Sequence, residues 1–242
     1  MVRRASWSYG GDSRVDIFIA GENIDLAVPD EAFATGETWY RWLNRRDITR
    51  YLNHGLYPKI RTDQLEFLRS VPGNRLLLAI ITKEEIPVGI VSLSGIDSGS
   101  ASGDLALFID SSAIPALSPL AALESVARIV QHGIFELGLK RIGATQHPSL
   151  SGWQQRMELV GFRFEGVARY GFVRGAEVAD SVLLSCIDKD AKTLVAGRGE
   201  LWDGNKNMLR RIRSLPDPAF ANKMRGEIES KGNEYYAAIY AL

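Results

Sequence analysis

Two nearly unbroken apolar runs, "RLLLAIIT" at residues 75–82 and "PVGIVSLSGID" at 87–97, most constrain what this chain can become. A strand with one wet face alternates apolar and polar residues, whereas these runs do not, so they read as central strands covered on both faces. The polar turn Lys83-Glu84-Glu85 joins them, and "GDLALFID" follows the Gly/Ser-rich "SGSASG" as a third strand. The fold must therefore place helices on two sides of one sheet.

The flanking segments supply those helices. Upstream, "RVDIFIAGENIDLAVP" reads as a hairpin around Gly21-Glu22-Asn23. "TWYRWLNRRDITRYLN" sets Trp39, Trp42, Leu43 and Arg46 at helical spacing, and "RTDQLEFLRSV" repeats the pattern with Leu65 and Leu68. Downstream, Ser118-Pro119 marks a helix start, Ser as N-cap and Pro where its missing N–H is not needed. From there Leu120, Leu123, Ala127, Val130 and Ile134 share an apolar face, with Glu124, Arg128, Gln131 and His132 largely opposite. A strand "KRIGATQ" comes next. Ser151 and Gln154 resemble a capping box for a short helix that ends near Gly161, with Leu150, Trp153, Met157 and Val160 as its stripe. "FRFEGVARYGFV" and "VADSVLLSCI" close the series as a hairpin around Arg174-Gly175-Ala176-Glu177. The order ββ, αα, βββ, α, β, α, ββ predicts an α/β (α+β) fold, with a mixed sheet flanked by helices on both faces.

Residues 188–242 differ in texture. They hold the basic "NMLRRIRSLP", a helix in "AFANKMRGEIESKG" and an aromatic tail "EYYAAIYAL". This C-terminal extension is too short for a core of its own, so it is expected to pack on the 1–187 domain or on a partner chain. The tail reads as a homodimer patch, a lid or ordinary packing.

Composition narrows the chemistry. Lys plus Arg and Asp plus Glu both total 29, so no excess charge draws the chain to nucleic acid or anionic membranes. The single Cys186 excludes an intrachain disulfide framework, and no run reaches the ~20 apolar residues of a membrane span. The expected compartment is the cytoplasm. His54, His132 and His147 lack metal-ligand spacing, so no metal is expected. "GSASG" at 99–103 carries Ala101 where a nucleophile elbow needs Ser, and neither a P-loop nor a dinucleotide fingerprint occurs.

Several segments in order resemble the GNAT acyltransferase superfamily, in particular its branch of ribosomal-protein N-terminal acetyltransferases and amino-sugar acetyltransferases. "WLNRRDITRYL" is similar to that branch's first helical pair and "PVGIVSLSGID" to its strand hairpin. "GDLALFID" is similar to its central strand; "FELGLKRIGA", "ELVGFRFEGVAR" and "VADSVLLSCI" are similar to its later part. The likeness spans roughly residues 24–187. It implies a mostly antiparallel sheet and acetyl-CoA as acyl donor, bound where the central strand splays from its neighbour. Backbone groups of Phe108, Ile109 and Asp110 would meet the pantetheine arm. The loop through Ile114, Ala116, Leu117, Ser118 and Leu120 would hold the pyrophosphate at a helix N-terminus.

The loop departs from the family pattern Q/R-x-x-G-x-G/A. Direct alignment puts Ile114 at the basic position with Leu117 and Pro119 at the glycines; a shift of one residue puts Ala116 and Ser118 there. The family's acidic Tyr falls at Met157 and its cofactor Asn near Leu150. Acyl transfer would then need a base, for which Asp104, Asp110 or His147 are the candidates, directly or through water; an acid for the thiolate, Tyr170 if the closing hairpin brings it back across the site; and oxyanion donors, the backbone N–H groups near Ile109. Each has a plainer role: Asp110 as a turn former, His147 in a solvated loop, Asp104 on a wet face, Tyr170 in packing. The implied activity is N-acyl transfer to a small amine, such as an amino-sugar nucleotide, or to a protein N-terminus. The alternative is a catalytically inactive ligand sensor or assembly subunit.

Overall fold

The computed structural model describes residues 15–52 and 55–242, with the side chain of Ser118 outside that description. Eight strands form one sheet in the order β1-β2-β3-β4-β5-β6-β8-β7. The strands are β1 (Ile17–Ala20), β2 (Ile24–Ala27), β3 (Leu76–Thr82), β4 (Pro87–Asp97), β5 (Ser102–Ile109), β6 (Arg141–Gln146), β7 (Arg163–Arg174) and β8 (Glu177–Ile187). All neighbours pair antiparallel except β5 with β6.

The apolar run in β3 is covered on both faces. Leu78 and Ile80 enter one core cluster with Leu123, Val126 and Val130 of α5 (Ser118–Phe135). Ala79 and Ile81 enter a second cluster with Phe33 of α1 (Glu31–Thr35) and Trp39 and Trp42 of α2 (Trp39–Leu43). Helix α5 lies so close to the sheet that a Cβ on Gly133 would stand 2.8 Å from Leu93 and 2.9 Å from Ile142. Helix α4 (Arg61–Arg69) joins the second layer through Leu65 and Leu68.

Three local expectations are revised. The predicted single helix from Trp39 breaks into α2 and α3 (Arg46–Thr49), because Arg45 takes an extended conformation, φ −92° and ψ 120°, from which its guanidinium reaches Asp110. Arg46 consequently stays exposed. The polar side of α5 is not solvated either: Glu124 is fully buried, and its carboxylate accepts hydrogen bonds from the Glu22 and Asn23 amides and from Asn23 Nδ2, clamping the first hairpin turn. Finally, Ser151 lies inside α6 (Ser151–Glu158), and Gln154 Nε2 donates to the His147 carbonyl at 3.0 Å, so the pair forms no capping box. Gly161, at φ +98°, turns the chain out of α6 as its residue type suggested.

The C-terminal segment holds α7 (Asp188–Arg198), α8 (Asn205–Arg213) and α9 (Phe220–Tyr240). Leu201, Trp202, Met208 and Ala221 sit in the α5-side core. Gln131 of α5 accepts the Leu201 amide at 2.9 Å, so this segment covers what the sequence pattern made a polar face. The aromatic tail continues α9, with Tyr235, Tyr236 and Tyr240 exposed. Among the described residues no helix is long and apolar enough to cross a membrane.

Candidate active site

The two edges of β5 are unequal. Its edge toward β4 is paired from Gly89↔Ile109 to Asp97↔Ser102, but its edge toward β6 is paired only at Ser102, Gly103 and Asp104. Past Asp104 the strands part, and a cleft of about 610 Å³ opens between Leu105–Ile109 of β5 and Ala144–Gln146 of β6. The Asp110 N–H donates to Val88 O at 2.6 Å, across the β4 edge. Strand alternation then turns the backbone groups of Phe108 toward β4 as well, and directs those of Leu107 and the Ile109 N–H into the cleft. Of the three residues expected to offer backbone to a ligand, only Ile109 has an N–H so aimed.

At the carboxyl end of β5 the polar groups satisfy one another. Asp110 is buried; its carboxylate accepts from Arg45 Nη1 at 2.5 Å, Ser112 Oγ at 2.6 Å and Trp42 Nε1 at 3.2 Å. Burial pushes its pKa up, yet the bonds from Ser112, Arg45 and Trp42 together outweigh burial and hold it below the usual carboxylate range. Asp110 is thus an ionised anchor between α2, α3 and β5. In the loop beyond, Ala113 N–H bonds to Asp110 O at 3.1 Å and Leu117 N–H to Ile114 O at 3.0 Å. The helix begins at Ser118 with Pro119 in its first turn, one residue earlier than expected, and Leu117 at the boundary makes no side-chain cap. Ile114 packs against the core, Leu120 is buried in it, and Ala116 and Leu117 are exposed. From this stretch Ser111 and Pro119 line the cleft.

The facing wall, at the carboxyl end of the parallel strand β6, is arranged differently. His147, at the end of β6, is only 7% exposed, stacked on Tyr51 at 4.6 Å and met edge-on by Phe172 at 4.8 Å. Its Nδ1 accepts the Ser149 N–H at 3.2 Å, so the neutral ring carries its proton on Nε2. Nε2 is buried without a hydrogen-bond partner; Glu177 Oε1 stands 3.6 Å away, beyond hydrogen-bond range. Burial first, then Arg50 and Arg225, lower the imidazole pKa against the opposing pull of Glu177. Gln146 Oε1 and Gln154 Oε1 are likewise buried without partners. A histidine expected in a solvated loop is instead a cleft wall with an unused donor.

The remaining candidates stand apart. Asp104 lies where β5 and β6 still pair, opposite Gly143, short of the cleft. Tyr170 occupies a bulge of β7 at φ +53° and is 75% exposed; its amide donates to Asp180 Oδ1, while Gly171 and Phe172 beside it line the cleft. Tyr51, Gln146, Arg156 and Phe172 were not singled out from sequence, and only the polar pair Gln146-His147 closing a strand hinted at them. Cys186 is buried, and burial pushes its thiol up to about 12, which removes it as a nucleophile. Among the described residues no group of three or more His, Cys, Asp or Glu is placed to hold a metal ion.

No family model and no curated protein matches the sequence. Solved structures do match. RimJ of Mycobacterium smegmatis, in complex with CoA-disulfide, aligns at TM-score 0.62 with 18% identity over 73% of this chain and 90% of its own. A GCN5-related N-acetyltransferase from Brucella melitensis aligns at TM-score 0.58 with 20% identity, over 84% and 96%. This chain has the GNAT fold. The microcin C7 self-immunity acetyltransferase MccE, in complex with acetyl-CoA and AMP, aligns at 0.59 with 17% identity, over 69% and 93%. In this GNAT fold the parting of β5 from β6 and the approach of α5 to it form one feature, the cleft described above.

Proposed function

We propose that the chain is an acyl-CoA-dependent N-acyltransferase, using acetyl-CoA and acting on a small amine or a protein N-terminus. The observation that carries this is the unpaired β5 edge: Leu107 and Ile109 present backbone groups to a cleft roomy enough for an extended, amide-bearing arm. Structural neighbours that bind CoA and acetyl-CoA support the same donor.

The residues present suggest catalysis by positioning. A neutral amine attacks the thioester carbonyl, the Ile109 N–H faces the oxyanion, and the carbon–sulfur bond breaks to release thiolate. Asp110 is committed to Arg45, Trp42 and Ser112, and His147 offers a donor instead of a lone pair in this tautomer. The amine proton therefore leaves to water, and the thiolate takes its proton from water. Calorimetric titration with acetyl-CoA, followed by thioester loss across an amine panel, tests the reading; no heat with any acyl-CoA would sink it.

A second reading has its own support. The Ala113 and Leu117 amides are spent inside the loop, Pro119 has no N–H, and Met157 cannot donate a proton. These favour a domain that binds ligand without turning it over. Acetyl-CoA binding with no thioester loss on any amine would select it.

A further inference from the structure

The cleft end around His147 carries more positive charge than its neighbours neutralise. Arg156 of α6 lines the cleft. Arg50 lies over the Tyr51 ring, 5.2 Å from its centroid, and that ring stacks on His147. Arg225 of α9 is close enough to His147 to oppose its protonation. Arg174 bridges α3 and the segment after it through Thr49 Oγ1 at 3.3 Å and Gly55 O at 3.2 Å. Among the described residues Arg50, Arg156 and Arg225 make no ion pair. The carboxylate on the cleft wall, Asp47, is paired with Arg45. Glu177 is the facing acid, and it is 3.6 Å from Nε2 with its side chain half exposed.

A buried donor without a partner carries a desolvation cost of about 1–3 kcal/mol that an acceptor atom on a ligand removes. His147 Nε2 is such a donor, and it lines the cleft. Guanidinium groups around it match the planar, multi-oxygen geometry of carboxylate and phosphate. Tyr51 and Phe172 add aromatic walls suited to the body of a small molecule.

We propose that this end of the cleft binds an anionic group, a phosphate or a carboxylate, with Arg50, Arg156 and Arg225 as its cations and His147 Nε2–H as its hydrogen-bond donor. Taken with the acyltransferase reading, on which this step rests, the acceptor is an amine that bears an anion, held by its charge so that its nitrogen faces Ile109. Cationic polyamines are disfavoured by the same field.

The test compares glucosamine 6-phosphate, glucosamine, glutamate and putrescine as acceptors, with inorganic phosphate as a binding probe, in wild type, Arg50→Ala/Arg225→Ala and the corresponding double lysine variant. The expected result is a kcat/KM at least about 10-fold higher for glucosamine 6-phosphate than for glucosamine. The double alanine variant, folded by circular dichroism, raises KM for the phosphorylated amine about 10-fold, leaves glucosamine unchanged, and is partly rescued by lysine. Equal use of both amines, preference for putrescine, or unchanged discrimination in the variant would overturn the proposal. If no amine is acetylated, the acyl-transfer reading fails; the anion site then stands only if phosphate binds wild type and is lost from the double alanine variant, and falls otherwise.

Discussion

Asp110 and His147 close the two strands that frame one cleft, and their surroundings are opposites. Asp110 is an ionised carboxylate that receives three side-chain hydrogen bonds, from Arg45, Trp42 and Ser112. His147 is a neutral ring whose Nε2 has none, beside two glutamine carbonyls in the same condition. Both residues are more than nine-tenths buried, so burial does not separate them. Saturation does. A group whose bonds are all made within the chain holds structure together, whereas a buried group with bonds left to make is poised for a ligand.

The largest expected effect breaks the saturated end. Asp110→Ala leaves Arg45 without its buried partner and Trp42 Nε1 without an acceptor, which costs about 3 kcal/mol of stability, read as a lower urea midpoint. Wild-type stability in that variant would mean that the Asp110 network is dispensable and its carboxylate is held for chemistry.

Next in size is the cleft itself. Ala106 lines it from an exposed position on β5, so Ala106→Trp fills space without overpacking the core. Acetyl-CoA affinity, measured by calorimetry, should fall at least about 10-fold with the thermal midpoint little changed.

Acid titration separates the two residues without mutation. The folded pKa of His147 is lowered, so the unfolded chain binds its proton first; the stabilisation is fully present above about 6.5 and declines as pH falls below that value. The Asp110 pKa is also lowered, and its contribution is lost only as pH falls through and below about 3.8. Urea midpoints from pH 8 to 3 should show the histidine step first; His132, whose pKa burial also lowers, shares it, so His147→Asn should shrink that step and leave the acid limb in place.

The smallest effect is expected in the loop. Since Ala113 and Leu117 amides are tied within it, Ala116→Gly should change acetyl-CoA affinity by no more than about twofold. A gain of tenfold or more would show that loop stiffness, and not amide supply, limits binding.

The sheet was legible in the sequence because periodicity reports which faces are covered. "RLLLAIIT" and "PVGIVSLSGID" read as central strands and are β3 and β4, and the strand order from residue 17 to 187 matches, but the two helices expected before β3 are four, α1 to α4, of which the short α1 was not foreseen. Periodicity does not report what covers a helix from a distance. Glu124 lay opposite the apolar face by its spacing, yet the Glu22–Asn23 turn, itself held by Asn205 of the extension, bonds to it and it is fully buried. Helices α7 and α8 escaped notice because Asp, Lys and Arg crowd their sequences and few residues in each face the core. The site was the least legible part. Strand order located the cleft, but which backbone groups face it depends on a register that no residue type encodes. The roles of Asp110 and His147 depend on partners 65 residues away or missing altogether.

A crystal structure of the protein with acetyl-CoA would show whether the parted edge of β5 receives the ligand. A pantetheine arm is expected along β5, hydrogen-bonded to the backbone of Leu107, with the acetyl carbonyl oxygen at the Ile109 N–H and the acetyl group directed toward His147. Acetyl-CoA bound on another surface, or absent from the cleft at saturating concentration, would contradict it.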